Sequence, residues 1–321
     1  MAQDESKLKA AVLAVKERER PGIDQTPLSK QFEIAALRRD LTKQLQPILA
    51  NTGFDLNRIN ELLVKGHNEL ARLIEKQKAD AARQLAASIP SYREGMKNRA
   101  RALRRIAGNP LTIRTIPLET PYSIWVTPLN MLVDSHTEPH NNWATCRLTD
   151  NKDTAGKSAS VKFYFAWNND SGYLAVINCN ADVIVRGWAE AWADPRVFGG
   201  SSWLPLYVNL KVYLGGGVID YWGSQSMQIA HLSANAGWGL FGNPGDIKFQ
   251  SFNNSYTVSC PNIEVQDQEI VVFEVSLEAI NYWIDGGSIS FDFADSASGN
   301  EVLCPTLNVE LLTPPTMTTA A

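Results

Sequence analysis

The sequence predicts an α+β protein whose helices and strands occupy separate parts of the chain: an N-terminal helical bundle or hairpin, then an antiparallel β-sandwich of jelly-roll or Greek-key type. Apolar residues follow a helical period before residue 108 and a period of two after residue 111. All nine tryptophans lie in the second part. Lys and Arg outnumber Asp and Glu by 21 to 13 in residues 1–110, whereas Asp and Glu outnumber Lys and Arg by 21 to 9 in residues 111–321.

The opposite charges of the two parts indicate two bodies with different surfaces, and a length of 321 residues suits two domains. We expect a basic helical domain over residues 1–107 and an acidic, tryptophan-rich sandwich over residues 111–312. A Gly-Asn-Pro sequence at residues 108–110 marks the boundary. Residues 313–321 are expected to form a flexible tail.

Three amphipathic helices are expected in the first domain. The first ends before Pro21, the second is kinked at Pro47, and the third extends from Asp55 to Pro90, because proline removes a backbone donor and clashes with the preceding turn. A helix with one apolar stripe must bury that stripe against something. We therefore expect these helices to pack as a bundle and to self-associate through residues 1–107.

The most basic stretch of the chain follows Pro90. Its cations include Arg99, Arg101, Arg104 and Arg105, which we expect either to contact an anionic partner or to form a solvated helix face. No aromatic residue lies between these cations to stack on bases, so nucleic-acid binding is not favoured.

Strands are predicted where apolar residues alternate with polar ones between Gly-, Asn- and Asp-rich turns. Residues 204–214 give the longest such run, and residues 161–167, 271–277, 289–293 and 307–311 give four more. This pattern is typical of antiparallel sheets with one solvated face, and about ten strands in 200 residues suit a two-sheet sandwich.

Two aromatic groups are candidate ligand-binding residues. Trp188 and Trp192 share one face of a strand, with Arg186 and Glu190 beside them, and such a platform could stack on a sugar ring; core packing is the alternative explanation. The Gly-rich loop after residue 236 carries Trp238 and Phe241, which could form an exposed apolar contact or could pack into the end of the sandwich.

Metal binding and catalysis have few candidate residues. His136, Glu138 and His140 are the one cluster with metal-ligand types, although no cysteine or further histidine is evidently paired with them, and a polar connection between strands is the alternative. The loop after residue 236 matches G-x-G-x-x-G, but no helix is predicted to follow it. No standard catalytic motif is present, so no cofactor and no enzymatic activity are expected.

The sequence therefore favours a non-catalytic interaction or structural protein, in which the helices assemble or anchor the chain and the sandwich binds a surface or a glycan. A soluble membrane-attacking toxin is the first alternative, and a sandwich-based hydrolase or metal-dependent enzyme is the second. The first 20 residues carry charges at both ends, follow a helical period and lack the continuous apolar core of a signal peptide. They predict no secretion signal, and hence a cytoplasmic protein or one released by a non-classical route.

Overall fold

The computed structural model describes residues 5–18, 44–45, 47–48, 51–53, 55–107, 113–195, 200–215, 220–236, 245–295 and 299–312. Its helices and strands are these: α1 (Glu5–Arg18), α2 (Leu56–Ala107), β1 (Ile113–Leu118), β2 (Ser123–Thr127), β3 (Leu132–His136), β4 (Trp143–Asp150), β5 (Thr154–Asn168), β6 (Ala175–Ala193), β7 (Ser201–Gly215), β8 (Asp220–Asn235), β9 (Asp246–Val265), β10 (Ile270–Asp285), β11 (Gly287–Phe293), β12 (Glu301–Leu303) and β13 (Leu307–Leu312).

The strands form two antiparallel sheets, which confirms the predicted two-sheet sandwich. The five-stranded sheet has the order β2-β5-β10-β7-β8. The eight-stranded sheet has the order β1-β13-β6-β11-β4-β12, with β3 paired to β4 and β9 paired to β6. Apolar residues of both inner faces, such as Phe165 of β5, Leu206 of β7 and Val183 of β6, are fully buried in one shared core. The alternation seen in the sequence therefore separates core from surface correctly.

Helix α1 packs on the outer face of the five-stranded sheet. Its buried stripe and the sheet residues that it covers are Leu8, Ala11, Val12, Val15, Tyr164, Ala166, Tyr213, Ile270 and Val272. Lys16 at its C-terminal end donates a hydrogen bond to Ser123 Oγ (3.0 Å) and lies 4.3 Å from the ring centre of Trp125. The stripe predicted from the sequence is thus buried, but by a sheet.

Helix α2 packs on the eight-stranded sheet, where it contacts β1, β6 and β9. Its buried side chains include Leu63, Ile74, Ala81 and Leu85. The prediction of a helical bundle is therefore wrong for these two helices, because each of them buries its apolar stripe against the face of a sheet. The helix expected between them falls mostly outside the described residues.

The expected end of α2 at Pro90 is also wrong, since the helix continues to Ala107. Proline disturbs the carbonyl groups of the turn before it. Here the carbonyl that loses its donor is that of Ala86. The neighbouring carbonyl of Leu85 accepts hydrogen bonds from Ser88 Oγ (2.6 Å) and from Arg186 of β6 (2.9 Å), which tie this part of α2 to its sheet. Among the described residues, no helix is long and apolar enough to cross a membrane.

Candidate functional site

The predicted aromatic platform of β6 is covered by α2. Lys78 of α2 lies 4.4 Å from the ring centre of Trp188, and its Nζ is 2.7 Å from Glu190 Oε2. His67 of α2 meets Trp192 edge to face, with ring centres 5.3 Å apart. The two tryptophans share a face as expected, but this face contacts a helix of the same chain, so it offers no open platform for a ligand.

Arg186 extends the contact between β6 and α2 towards Pro90. Its side chain is fully buried and donates hydrogen bonds to the Leu85 carbonyl (2.9 Å) and to Ser88 Oγ (3.1 Å). Glu190, also buried, accepts a hydrogen bond from Ser290 Oγ at 2.9 Å. The polar residues beside the tryptophans therefore hold the helix and its sheet together.

The structure does not bring the candidate metal ligands to one point. His140 is buried, and its ring nitrogens contact Glu119 (2.9 Å) and Thr306 (2.8 Å). His136 stacks on a tryptophan, and its Nε2 is 3.3 Å from Glu138 Oε2. Within the described part of the chain, no group of three or more His, Cys, Asp or Glu side chains is arranged to hold a metal ion.

The surroundings of the other predicted site residues lie outside the described part of the structure. Trp238 and Phe241 lie outside the described residues. The four candidate arginines lie within helix α2: Arg99, Arg101, Arg104 and Arg105. Their side chains lie outside the described part of the structure. Their expected contacts with a ligand or an anionic partner stay predictions.

An open cleft lies on the outer face of the five-stranded sheet, at the end where β7, β8 and β10 meet. Its volume is about 240 Å³, and its described lining residues are Ser201, Ser202, Trp203, His231, Ser233, Ala234, Asn235 and Trp283. The two tryptophans are half-buried. Trp203 of β7 is the direct register partner of Trp283 of β10. Such cross-strand partners lie about 4.5–5.5 Å apart at Cβ, so the two indoles border the same cleft from adjacent strands.

The strand alternation of β7 places Trp203 in this cleft. Leu204 and Leu206 point into the core, so Trp203 points outwards with Tyr207. The indole Nε1 of Trp203 donates a hydrogen bond to Nε2 of His231 on β8, at 3.1 Å. This hydrogen bond fixes the orientation of the indole and holds the imidazole at the rim, where it is exposed.

A β-bulge in β10 directs the side chain of Trp283 into the cleft. The register shifts between Ala279 and Tyr282, and Asn281 there has a φ of +54°. An extra residue reverses the alternation that follows it. Tyr282 therefore turns into the core, where its hydroxyl donates a hydrogen bond to Asp150 (3.2 Å), and Trp283 turns outwards.

Electrostatics hold the buried tyrosine beside the cleft. Burial raises the pKa of Tyr282, and the neighbouring Asp150 carboxylate raises it further. Burial alone would raise the pKa of Asp150, but the hydrogen bonds from Lys157, from the backbone of Lys152 and from Tyr282 hold that pKa below its usual value. The tyrosine stays a neutral donor to a charged carboxylate, and this pair anchors the strand that carries Trp283.

Sequence reasoning missed this cleft. The alternation around residues 204–214 gives Trp203 the same face as Lys211, and an outward-facing tryptophan in a polar row was a usable signal. No comparable signal existed for Trp283, because the pattern of β10 without its bulge would place residue 283 in the core.

No protein-family model matches this chain, and no curated protein sequence matches it. Among solved structures, the chain is similar to one described as "CBM4 structure and function", at 12% identity and a TM-score of 0.23 over 60% of this chain and 94% of that one. It is also similar to chains of infectious bursal disease virus strains Gx and Gt, at 11% and 9% identity and TM-scores of 0.20 and 0.14. These matches cover 61% and 60% of this chain and 38% and 42% of the viral chains. Values this low carry no argument about function.

Proposed function

We propose that this protein is a non-catalytic binding protein whose sandwich holds an uncharged carbohydrate in the cleft between Trp203 and Trp283. The paired indoles are the observation that carries this proposal. A sugar ring has an apolar face of C–H groups, which packs on an aromatic surface, and a rim of hydroxyl groups, which needs polar partners. The cleft offers both, since His231, Ser233 and Asn235 are exposed around the rings.

The polar groups of the cleft favour a neutral ligand. Its described lining residues include no Asp, Glu, Lys or Arg, so no side chain there would pair with a phosphate, a carboxylate or an amine. Cleavage of a glycosidic bond uses two carboxyl groups about 5–9.5 Å apart, and this lining contains none. The chemistry of the cleft thus supports sugar binding in preference to sugar hydrolysis.

Replacing either tryptophan tests the proposal. A panel of neutral oligosaccharides is screened by titration calorimetry, and the best binder is then measured with Trp203→Ala and Trp283→Ala. We expect each variant to bind at least about tenfold more weakly, because an aromatic contact is worth about 0.5–1.5 kcal/mol beyond the apolar area that it buries. Thermal unfolding of each variant shows whether the sandwich is intact.

Trp222→Ala provides the matched control. Trp222 is 43% exposed on β8 and does not line the cleft. The control should bind as tightly as the unaltered protein. Failure of the whole neutral panel to bind, or equal weakening by Trp222→Ala, would contradict the proposal.

The order of the strands supports a jelly-roll type for this sandwich. Eight strands in chain order, β4 to β11, form the two rows β4-β11-β6-β9 and β5-β10-β7-β8, and the chain crosses between the sheets at most of its turns. Two interleaved Greek keys give this arrangement. We infer that residues 111–312 form this jelly roll and that α1 and α2 of the basic helical region, residues 1–107, pack on its two opposite outer faces.

Self-association through the helical region is a second candidate function, in which the chain is a subunit of a larger assembly. Leu62 and Leu73 of α2 are 62% and 60% exposed. Residues eleven apart lie on nearly the same side of an α-helix, so the two leucines lie about 16 Å apart on one side of α2, beside the face that packs on the sheet. A second copy of the helix would remove both side chains from water.

Light scattering of the full chain tests this second candidate. We expect an oligomer, and we expect the double variant Leu62→Lys/Leu73→Lys to be monomeric because charged groups would then occupy the interface. A monomeric unaltered protein, or an oligomer that the double variant leaves intact, would contradict assembly through α2.

A further inference from the structure

Two of the four cysteines form a directly opposed pair. All four lie in the described part of the chain and carry thiols that are not joined by disulfides. Cys179 of β6 is the register partner of Cys260 of β9. We propose that Cys179 and Cys260 are a thiol–disulfide exchange site, at which a small-molecule disulfide converts the two thiols into a disulfide between β6 and β9.

The backbone already has the spacing that a disulfide needs. Opposed residues of an antiparallel pair have Cα atoms about 4.5 or 5.5 Å apart, and disulfides span about 4.4–6.8 Å. The Sγ of Cys179 lies 3.5 Å from the carbonyl oxygen of Cys260, so its side chain points across the pair. Bond formation therefore requires rotation of side chains and no rearrangement of the strands.

The position of the pair in the sheet explains how a reagent could reach two buried thiols. Strand β9 is the outermost strand on its side of β6. Next to the pair, Pro261 and Asn262 together oppose the single residue Asn178, which makes a bulge, and Asn262 has a φ of +57°. Beyond this bulge only three register pairs hold the C-terminal end of β9 to β6, so local opening of that end exposes Cys260 without unfolding the sandwich.

The two thiols differ in reactivity. The hydrogen bond from the Cys179 thiol lowers the pKa of Cys260 and raises that of Cys179, and burial raises the Cys179 pKa further. Cys260 is therefore the thiol that more readily becomes the attacking thiolate. By contrast, burial and the nearby Asp292 raise the pKa of Cys146, which makes that cysteine an internal standard of low reactivity.

The exchange proceeds in two balanced steps. The Cys260 thiolate attacks one sulfur of the small disulfide, the S–S bond of the reagent breaks, and one thiolate leaves and takes up a proton. The Cys179 thiol then loses its proton and attacks Cys260 Sγ, which releases the second small thiol. The protein loses two hydrogens and two electrons, and the reagent is reduced to two thiols.

The folded full-length protein is treated with glutathione disulfide, quenched with an alkylating agent and analysed by intact mass and peptide mapping. We expect the loss of two hydrogens per chain and one linked peptide pair that contains Cys179 and Cys260. Alkylation should find Cys146 and Cys304 still reduced. If all four thiols stay reduced, if the linkage joins another pair, or if glutathione stays on Cys260 in the unaltered protein, the proposal is wrong.

Single variants separate the roles of the two thiols. In Cys179→Ala, glutathione should remain attached to Cys260 because no second thiol displaces it. In Cys260→Ala, Cys179 should stay unmodified, whereas the control Cys146→Ala should form the linkage as the unaltered protein does. If either alanine variant fails to fold, the peptide map of the unaltered protein decides the question alone.

Discussion

We expect the substitution Gly187→Ala to lower the free energy of unfolding by about 3–5 kcal/mol, which combines the cost of a strained backbone with that of overpacking. Gly187 lies within β6 at a φ of +142°, which residues with a side chain rarely adopt. An added Cβ would overlap the backbone carbonyl of Asp292 and the ring of Phe293 on β11. Neither neighbour can move, because both belong to the centre of the eight-stranded sheet and its core.

Urea unfolding followed by tryptophan fluorescence measures this effect. The matched control is Gly223→Ala on β8, where an added Cβ would meet no atom within 4 Å. We expect the control to change the unfolding free energy by less than about 0.5 kcal/mol. Equal urea midpoints for the two variants would show that β6 can relax around Gly187, and the explanation from backbone strain would be wrong.

The strands of this protein could be predicted because alternation is a local property. Residues 204–214 and 271–277 place their apolar side chains in the core as their pattern indicates, and the two-sheet sandwich follows from such runs. The pattern stops being informative at a bulge, where one extra residue exchanges the two faces. Asn281 makes this exchange in β10, and Trp283 becomes a surface residue as a result.

The partners of the helices could not be predicted for a different reason. The apolar stripes of α1 and α2 are evident from the sequence, and both are buried. A stripe does not identify the surface that covers it. The contact of Lys78 with Glu190 joins α2 to β6 across more than 100 residues of sequence, and it involves two charged side chains that sequence reasoning normally assigns to solvent.

We expect Lys78→Met to lower the free energy of unfolding by about 3–5 kcal/mol, the range for breaking a buried ion pair from one side. The substitution keeps the length of the side chain but removes its charge. Glu190, whose side chain is 8% exposed, then loses the ammonium group 2.7 Å from its Oε2. Trp188 loses the cation over its ring as well. The contact between α2 and β6 should weaken, and urea unfolding measures the loss.

Two further variants show whether the unpaired Glu190 charge is the cause. Arg83→Met removes a cation from the same helix, but Arg83 is 78% exposed and pairs at the surface, so we expect a change below about 1 kcal/mol. Lys78→Met combined with Glu190→Gln should recover part of the loss, because the double variant leaves no buried charge alone. Equal effects of Lys78→Met and Arg83→Met would contradict this account.

Limited proteolysis and fluorescence then distinguish release of the helix from general destabilisation. If Lys78 holds α2 on its sheet, Lys78→Met should make α2 a preferred site of cleavage under native conditions, and the emission of Trp188 and Trp192 should shift to longer wavelength as water reaches them. Trp203 and Trp283 lie on the other sheet, so the sugar binding that we propose for their cleft should be unchanged. Loss of sugar binding in Lys78→Met would mean that the two outer faces are coupled through the core.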